Sequence, residues 1–342
     1  MENVMMPRDA SRLIAETSKD VTINDHGVQK LAKLMYECVK TKTYTIANWK
    51  SSHELNPQKM TKAQVDWVFV ADTLNFSFWS MEDTKFKVTY KDTEYSGYWS
   101  WVAALNRALD NGIPLTDPSY YASISKEELS NIFKSDTVFD MPLLEDRLQV
   151  LQEAGKVLLK KYDGSFVNCI EKCDKSAQAL MKLVVTDFPS YRDEAEYNGK
   201  QVAFYKRVQI LIADIWACFE GESYGEFHDI DSITMFADYR IPQALVYFDA
   251  MEYSKELTDY MKANKMMKTG DRYEMEIRGC SIWATELVCE EAKKLLKEDA
   301  ETQDAHINSI IIDHYLWDYR RDHADDPKMA NIPFHKIRCI YY

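Results

Sequence analysis

The chain has 342 residues, enough for one large domain or two of ordinary size, and 46% of them are hydrophobic, with 21 Tyr, 14 Phe and 8 Trp to fill a core. Only 10 Gly and 9 Pro leave few tight turns, which favours a mainly helical fold. A net charge of −13 without any run of Lys or Arg argues against coating a polynucleotide, whereas one small anionic ligand needs only a few local donors.

In chain order, residues 7–17 read as a helix, with Pro7, Arg8 and Asp9 at its start and Leu13 and Ile14 on one face. Over 24–38, Val28, Leu31, Leu34 and Met35 recur with a helical period. A loop at 48–57 carries His53, and a helical pattern over 61–69 runs into DTLNFSFW at 72–79. Residues 85–90 and 93–99 alternate apolar and polar around Lys91-Asp92, a hairpin signal. A helix in YWSWVAALNRALDNG stops at Asn111-Gly112. Helical patterns return over 125–134, 143–160, 166–185, 202–219, 242–251, 255–265, 280–297 and 305–323. With no internal repeat or low-complexity linker, the expectation is a mainly α protein: one domain over 1–342 with a small β insert at about 85–99, a weak split near Pro118 being the alternative.

Seven cysteines include no CxxC pair, and Cys169/Cys173 have no matching His or Cys nearby, so neither a disulfide framework nor a metal centre is expected. The N-terminus lacks an apolar signal core and no apolar run is long enough for a membrane span. The expected location is cytoplasmic and reducing. Ser/His/Asp triads, Gly-rich phosphate loops and HExxH are absent, which removes the commonest hydrolase, kinase and protease readings.

The candidate chemistry concentrates in FHDIDSITMFADYRIP, residues 227–242. Asp229, Asp231 and Asp238, with Glu226 just upstream, lie close in sequence to the adjacent Lys206 and Arg207 of FYKRVQILIADIW. At 100° per residue, the helix expected over 202–219 is apolar on two opposite faces, and Lys206 belongs to the second. Its head either projects into a crevice, where it needs an anionic partner, or snorkels to water. Asp229 or Asp231 suits the N-cap of a short helix in SITMFA. Asp238 would then end that helix, where the dipole disfavours a carboxylate, so it needs another reason: a site, or a bland ion pair with Arg240. On 305–323, Ile307, Ile311, His314 and Asp318 share a stripe, with Asp313, Trp317 and Arg320 on its flank. A carboxylate on such a stripe is costly unless paired, whether to Tyr or Arg or to a ligand. His53 alone reads more readily as a turn residue. Phe76, Phe78 and Trp79, like Tyr98, Trp99 and Trp101, read as core.

FYKRVQILIADIW, FHDIDSITMFADYRIPQ, EIRGCSIWATELV and LWDYRRDH…PFHKIRCIYY resemble the queuosine salvage protein family. SSHELNP, WVFVADTLNFSFWS, YSGYWS and NRALDNGIP extend the similarity nearly end to end. The resemblance implies a helical fold related to DNA glycosylases of the helix-hairpin-helix type, without their DNA-gripping surface. It implies hydrolysis of the N-glycosidic bond of queuosine 5′-monophosphate by water, with queuine released for tRNA modification salvage. No metal or organic cofactor, polynucleotide partner or membrane is implied. Asp238 looks like the family's catalytic Asp, stabilising an oxocarbenium-like transition state. Lys206 would serve the ribose-phosphate end or hold Asp238 ionised. Asp313 and Asp318 would meet the guanine-like N–H edge or the amine and diol of the queuine arm. His53 would bond the base, and Phe236 and Ala237 would pack against the heterocycle. His314, in the substrate-binding set, stands where related chains can carry a phenol. The alternatives are a nucleosidase for ordinary purine nucleotides, a queuine- or nucleotide-binding protein without catalysis, and a helical interaction scaffold.

Overall fold

The computed structural model describes residues 4–80 and 86–342. It is mainly helical, with three two-stranded antiparallel sheets among the described residues. No helix among them is long and apolar enough to cross a membrane. The chain forms two compact units of interleaved segments: one runs through Asn48 and takes Asp193–Gln209 and Asp231–Ile337, and the other takes Trp49–Arg192, Ile210–Ile230 and Arg338–Tyr342.

The first unit is organised on the 27-residue helix Arg272–Glu298, longer at its start than the expected 280–297. Helices Pro7–Thr17 and Asp25–Lys40 pack along it. Ile14, Leu31, Ala32, Met35, Ile277, Cys280 and Val288 are buried there. Each large aliphatic side chain among them stabilises by about 1.5–3 kcal/mol. Gly279 sets the closest approach: a Cβ at this position would lie 2.6 Å from Ile14, so any side chain would force the helices apart. Strands Val21–Ile23 and Met251–Tyr253 pair beside this helix, and Glu194–Tyr197 pairs with Lys200–Ala203. Alternation over these short strands is too brief to signal against the helical patterns around them, and the expected 242–251 helix ends at Tyr247.

The second unit contains the expected hairpin, Lys87–Tyr90 with Thr93–Ser96; Lys85 lies outside the described residues. The hairpin packs on helix Tyr98–Asp110, and Leu144–Lys161 packs against Lys62–Thr73, Pro118–Tyr121 and Lys126–Ile132. The single helix expected over 166–185 is two, Val167–Glu171 and Ala177–Asp187. The break is at Asp174 and Lys175, both at positive φ (47° and 58°), with Ser176 capping the second helix through the Ala179 N–H. Trp101 is fully buried, as the core reading of its aromatic cluster expects.

Two local expectations around the candidate site are corrected. The helix expected over 202–219 begins at Lys206: residues 200–203 are strand, and Tyr205 (φ 49°) turns the chain between them. SITMFA is not a helix: Ser232 ends a 3₁₀ turn, Ile230–Ser232, and the rest is irregular.

Candidate active site

The reason SITMFA stays out of a helix is that its backbone groups are taken by side chains from elsewhere in the same unit. The Thr234 N–H donates to Gln209 Oε1 (2.8 Å), and Gln209 Nε2 donates to Thr234 Oγ1 (2.9 Å) and to the Phe204 carbonyl (2.9 Å). The Phe236 N–H donates to Asp313 Oδ2 (2.8 Å), and Arg278 Nε donates to the Ala237 carbonyl (2.9 Å). A buried main chain satisfied this way has no need of an intrahelical ladder.

The segment ends on Asp238. Its N–H closes a tight turn onto the Phe236 carbonyl (2.7 Å), and its Oδ1 accepts the N–H groups of Arg240 (2.7 Å) and Ile241 (2.9 Å). Asp238 therefore precedes a helix, Ile241–Tyr247, rather than ending one, and Pro242 falls in that helix's first turn, where its missing N–H costs nothing. The anticipated ion pair with Arg240 is replaced by a bond to the Arg240 main chain. With Oδ1 clamped, Oδ2 takes no hydrogen bond from any described residue. The half-buried carboxylate thus has a fixed orientation and one oxygen to spare.

The other three carboxylates of the stretch have structural partners. Glu226 forms an exposed ion pair with Lys175 (2.6 Å). Asp229 caps Ala177–Asp187, accepting Ser176 Oγ (2.8 Å) and the N–H groups of Ala177 and Gln178. Asp231 meets Lys293 (3.0 Å) and His306 (2.9 Å). Neither Asp229 nor Asp231 caps SITMFA, because no helix is there to cap.

Lys206 is 4% exposed, so it does not snorkel to water. Its N–H donates to Asp193 Oδ2 (3.1 Å). The same carboxylate accepts both terminal nitrogens of Arg278, which also pairs with Glu274 (3.0 Å). Arg278 is 1% exposed and lies 4.2 Å from the Phe204 ring centroid. Lys206, Asp193, Arg278 and Ala237 are thus consecutive links ending beside Asp238.

On helix Ser309–Asp322, Asp313 is buried and holds Phe236, while the His314 ring lies 5.8 Å from the Phe236 ring. Burial pushes the His314 imidazole down to about 4, so it is neutral near pH 7. Asp318 accepts Tyr44 Oη (2.6 Å), and burial lifts its carboxyl above the ordinary range although Tyr44 and Arg321 oppose the shift. A carboxylate on an apolar stripe thus has the tyrosine partner anticipated for it. In the second unit, His53 stacks on Trp99 (3.5 Å between centroids, 11° between planes), and its Nδ1 accepts the Leu55 N–H (3.2 Å).

Asp193, Arg278, Glu274, Gln209 and Tyr44 escaped the sequence reading. Glu274 and Arg278 were visible as an i, i+4 pair in EMEIR. Asp193, Gln209 and Tyr44 act on partners 85, 25 and 274 positions away, for which no local pattern exists.

A carboxylate locked on one oxygen and open on the other, on a stretch fixed from several directions, has the chemistry to do electrostatic or acid–base work on a small molecule. Comparison with known proteins gives the lineage. The chain belongs to the queuosine salvage protein family, whose model matches residues 55–342. A Bos taurus protein called queuosine 5′-phosphate N-glycosylase/hydrolase is 51% identical over 343 residues, with both chains fully covered. Proteins of the same name from Nematostella vectensis (42% identical, 99% of each chain) and Sphaerobacter thermophilus (33% identical, 97% of this chain and 96% of the other) are also similar.

Proposed function

We propose that this protein hydrolyses the N-glycosidic bond of queuosine 5′-phosphate and releases queuine for tRNA modification salvage, as its full-length similarity to proteins of that name supports. The observation that carries the mechanism is the clamped Asp238 with its open Oδ2. Departure of the base builds positive charge on the ribose, an oxocarbenium-like centre. A carboxylate held against the anomeric carbon stabilises that charge as it develops, and can orient or deprotonate the attacking water. A 7-deazaguanine carries carbon where guanine has N7, so the usual leaving-group protonation site is missing. Electrostatics and positioning then contribute more.

In this reading Lys206 serves the ribose-phosphate end or keeps Asp238 ionised. Asp313 presents Phe236 and Ala237 to the heterocycle, with His314 behind the Phe236 ring. Asp318 takes the queuine amine and diol or the guanine-like edge, and His53 bonds the base. No cofactor, polynucleotide or membrane enters the reaction, and the place of action is the cytoplasm. The helical architecture is consistent with a kinship to helix-hairpin-helix DNA glycosylases, and the acidic net charge with a site for a free nucleotide.

The test is an assay of free base release from queuosine 5′-monophosphate, queuosine and GMP in parallel. Release of queuine without matching turnover of GMP supports the proposal. Equal turnover of GMP would make the protein a general purine nucleosidase. Tight queuine binding without release from either queuosine substrate would make it a carrier.

A further inference from the structure

Of Glu226, Asp229 and Asp231, the last has its partners on two of the helices that grip residues 234–237. Its carboxylate meets Lys293 Nζ (3.0 Å), on the helix that carries Arg278, and His306 Nε2 (2.9 Å). Its Oδ1 also accepts Asn308 Nδ2 (3.3 Å), and Asn308 is the N-cap of Ser309–Asp322, the helix that carries Asp313. The Asp231 carbonyl accepts a terminal nitrogen of Arg8 (2.6 Å). Arg8 in turn pairs with Glu286 (2.6 Å), which accepts Ser309 Oγ (2.6 Å) at the first residue of the same helix. Side chain and main chain of Asp231 are thus both tied to one helix start.

The spacing of these ties matters more than their strength. Asp231 and Phe236 are five residues apart, and so are their anchors Asn308 and Asp313. Five residues of helix rise ~7.5 Å, whereas five residues of extended chain span ~17 Å. The run between the anchors is therefore drawn in, with the 3₁₀ turn Ile230–Ser232 taking up part of the slack. The bond from Asp313 fixes one atom of Phe236 but not the direction of the chain through it. That direction needs a second point on the same helix, which Asp231 supplies. Gln209 and Arg278 tie the stretch to other helices. The side chains of Lys293, Asp231 and His306 are 38%, 44% and 51% exposed, and ion pairs so open to water add little to stability. Although burial opposes it, the bonds from His306 and Lys293 hold the Asp231 carboxyl well below the usual carboxylate range, so the anchor stays charged near pH 7.

We infer that Asp231 is a positioning residue for glycosidic cleavage: together with Asp313 it fixes residues 231–236 on helix Ser309–Asp322, and so aligns Asp238 with the residues of that helix assigned to the base. The inference deepens the proposed function and rests on it. Asp231 touches no reacting atom and acts through Asp238. An error of about 1 Å in the placement of a reacting group can cost on the order of 100-fold in rate, so a tie that is weak in stability can still be strong in turnover.

The experiment compares wild type, D231A, D231N, D238N and D231A/D238N by queuine release from queuosine 5′-monophosphate, by thermal melts and by deuterium exchange of peptides covering the whole chain. D231A should lower kcat about 10-fold with KM little changed. D231N keeps an oxygen for Asn308 and should recover part of the loss. Because Asp231 acts through Asp238, the two losses should not multiply, and D231A/D238N should release queuine no more slowly than D238N. D231A should melt close to wild type and exchange faster across 231–241 only. A wild-type kcat in D231A would overturn the inference, as would losses that multiply in the double variant. A D231A that melts well below wild type, with exchange raised throughout its unit, would make Asp231 merely structural and overturn it too. Wild type releasing no queuine would refute the function itself. In that case faster exchange confined to 231–241 in D231A would still uphold the anchor, and unchanged exchange would overturn it.

Discussion

Two charged clusters lie in the same unit and meet at the peptide between Ala237 and Asp238. Around Arg278 every strong charge has an opposite partner at hydrogen-bond distance: Asp193 takes two of its nitrogens, Glu274 shares one, and the Ala237 carbonyl takes the third. Around Asp238 the pairing is looser among the described residues: one carboxylate oxygen accepts no hydrogen bond, and Arg240 and Arg320 feel the Asp238 charge without forming an ion pair with it. The first cluster is 1–2% exposed and the second is half-buried. Closed clusters of this kind fix geometry, whereas open ones keep interaction energy for something that arrives later. Loss of a member should therefore be read in stability for the first and in activity for the second.

The strongest way to break the contrast is D238N. Asn keeps an oxygen to accept the Arg240 and Ile241 N–H groups but removes the charge, so queuine release should fall ~10³-fold with Tm little changed. A comparable loss of Tm would place Asp238 with the structural carboxylates. R278Q should do the reverse first. It leaves Asp193 and Glu274 buried without their cation, costing about 3–5 kcal/mol in urea unfolding, and activity should drop only as Ala237 loses its anchor. An unfolding curve overlaying wild type would show that the cluster is not closed.

If the Lys206 ammonium keeps Asp238 ionised, K206A should lower kcat about 10- to 100-fold and equally for queuosine 5′-monophosphate and queuosine. A loss confined to the nucleotide would place Lys206 at the phosphate instead. Y44F is the smallest, about 1 kcal/mol for one hydrogen bond. The Asp318 carboxyl is already raised by burial, so its contribution to stability is present below its unfolded pKa and lost as pH rises through the folded one. Tyr44 opposes that rise. Its removal should carry the folded pKa further up, moving the acid limb of the KM–pH profile to higher pH, and an unmoved profile would remove Asp318 from substrate recognition.

What the sequence revealed follows the range of the interactions. Helices with a 3.6-residue apolar period were legible, as was the hairpin, and Asp238 stood out as a carboxylate in need of a reason. Its reason was misread, because a helix was assigned to SITMFA from apolar content alone. Nothing local says that Gln209 and Asp313 will take the N–H groups of Thr234 and Phe236, 25 and 77 residues away. The roles of Glu226, Asp229 and Asp231 were hidden for the same reason, since each partner comes from a distant turn or helix. Resemblance to a family supplied the candidate reacting residues, whereas the charged surroundings of Asp238 became visible only once charges could be paired off in space.

The anchoring of residues 234–238 also constrains how the protein matures. Three links at sequence separations of 25, 41 and 77 must close before this stretch has a defined shape. Such long loops close late, and the stretch has no ladder of its own to nucleate on. Catalytic competence should thus be among the last properties gained during refolding. The amides of Thr234 and Phe236 should exchange with deuterium only when the whole unit opens, making their protection a direct gauge of its cooperativity.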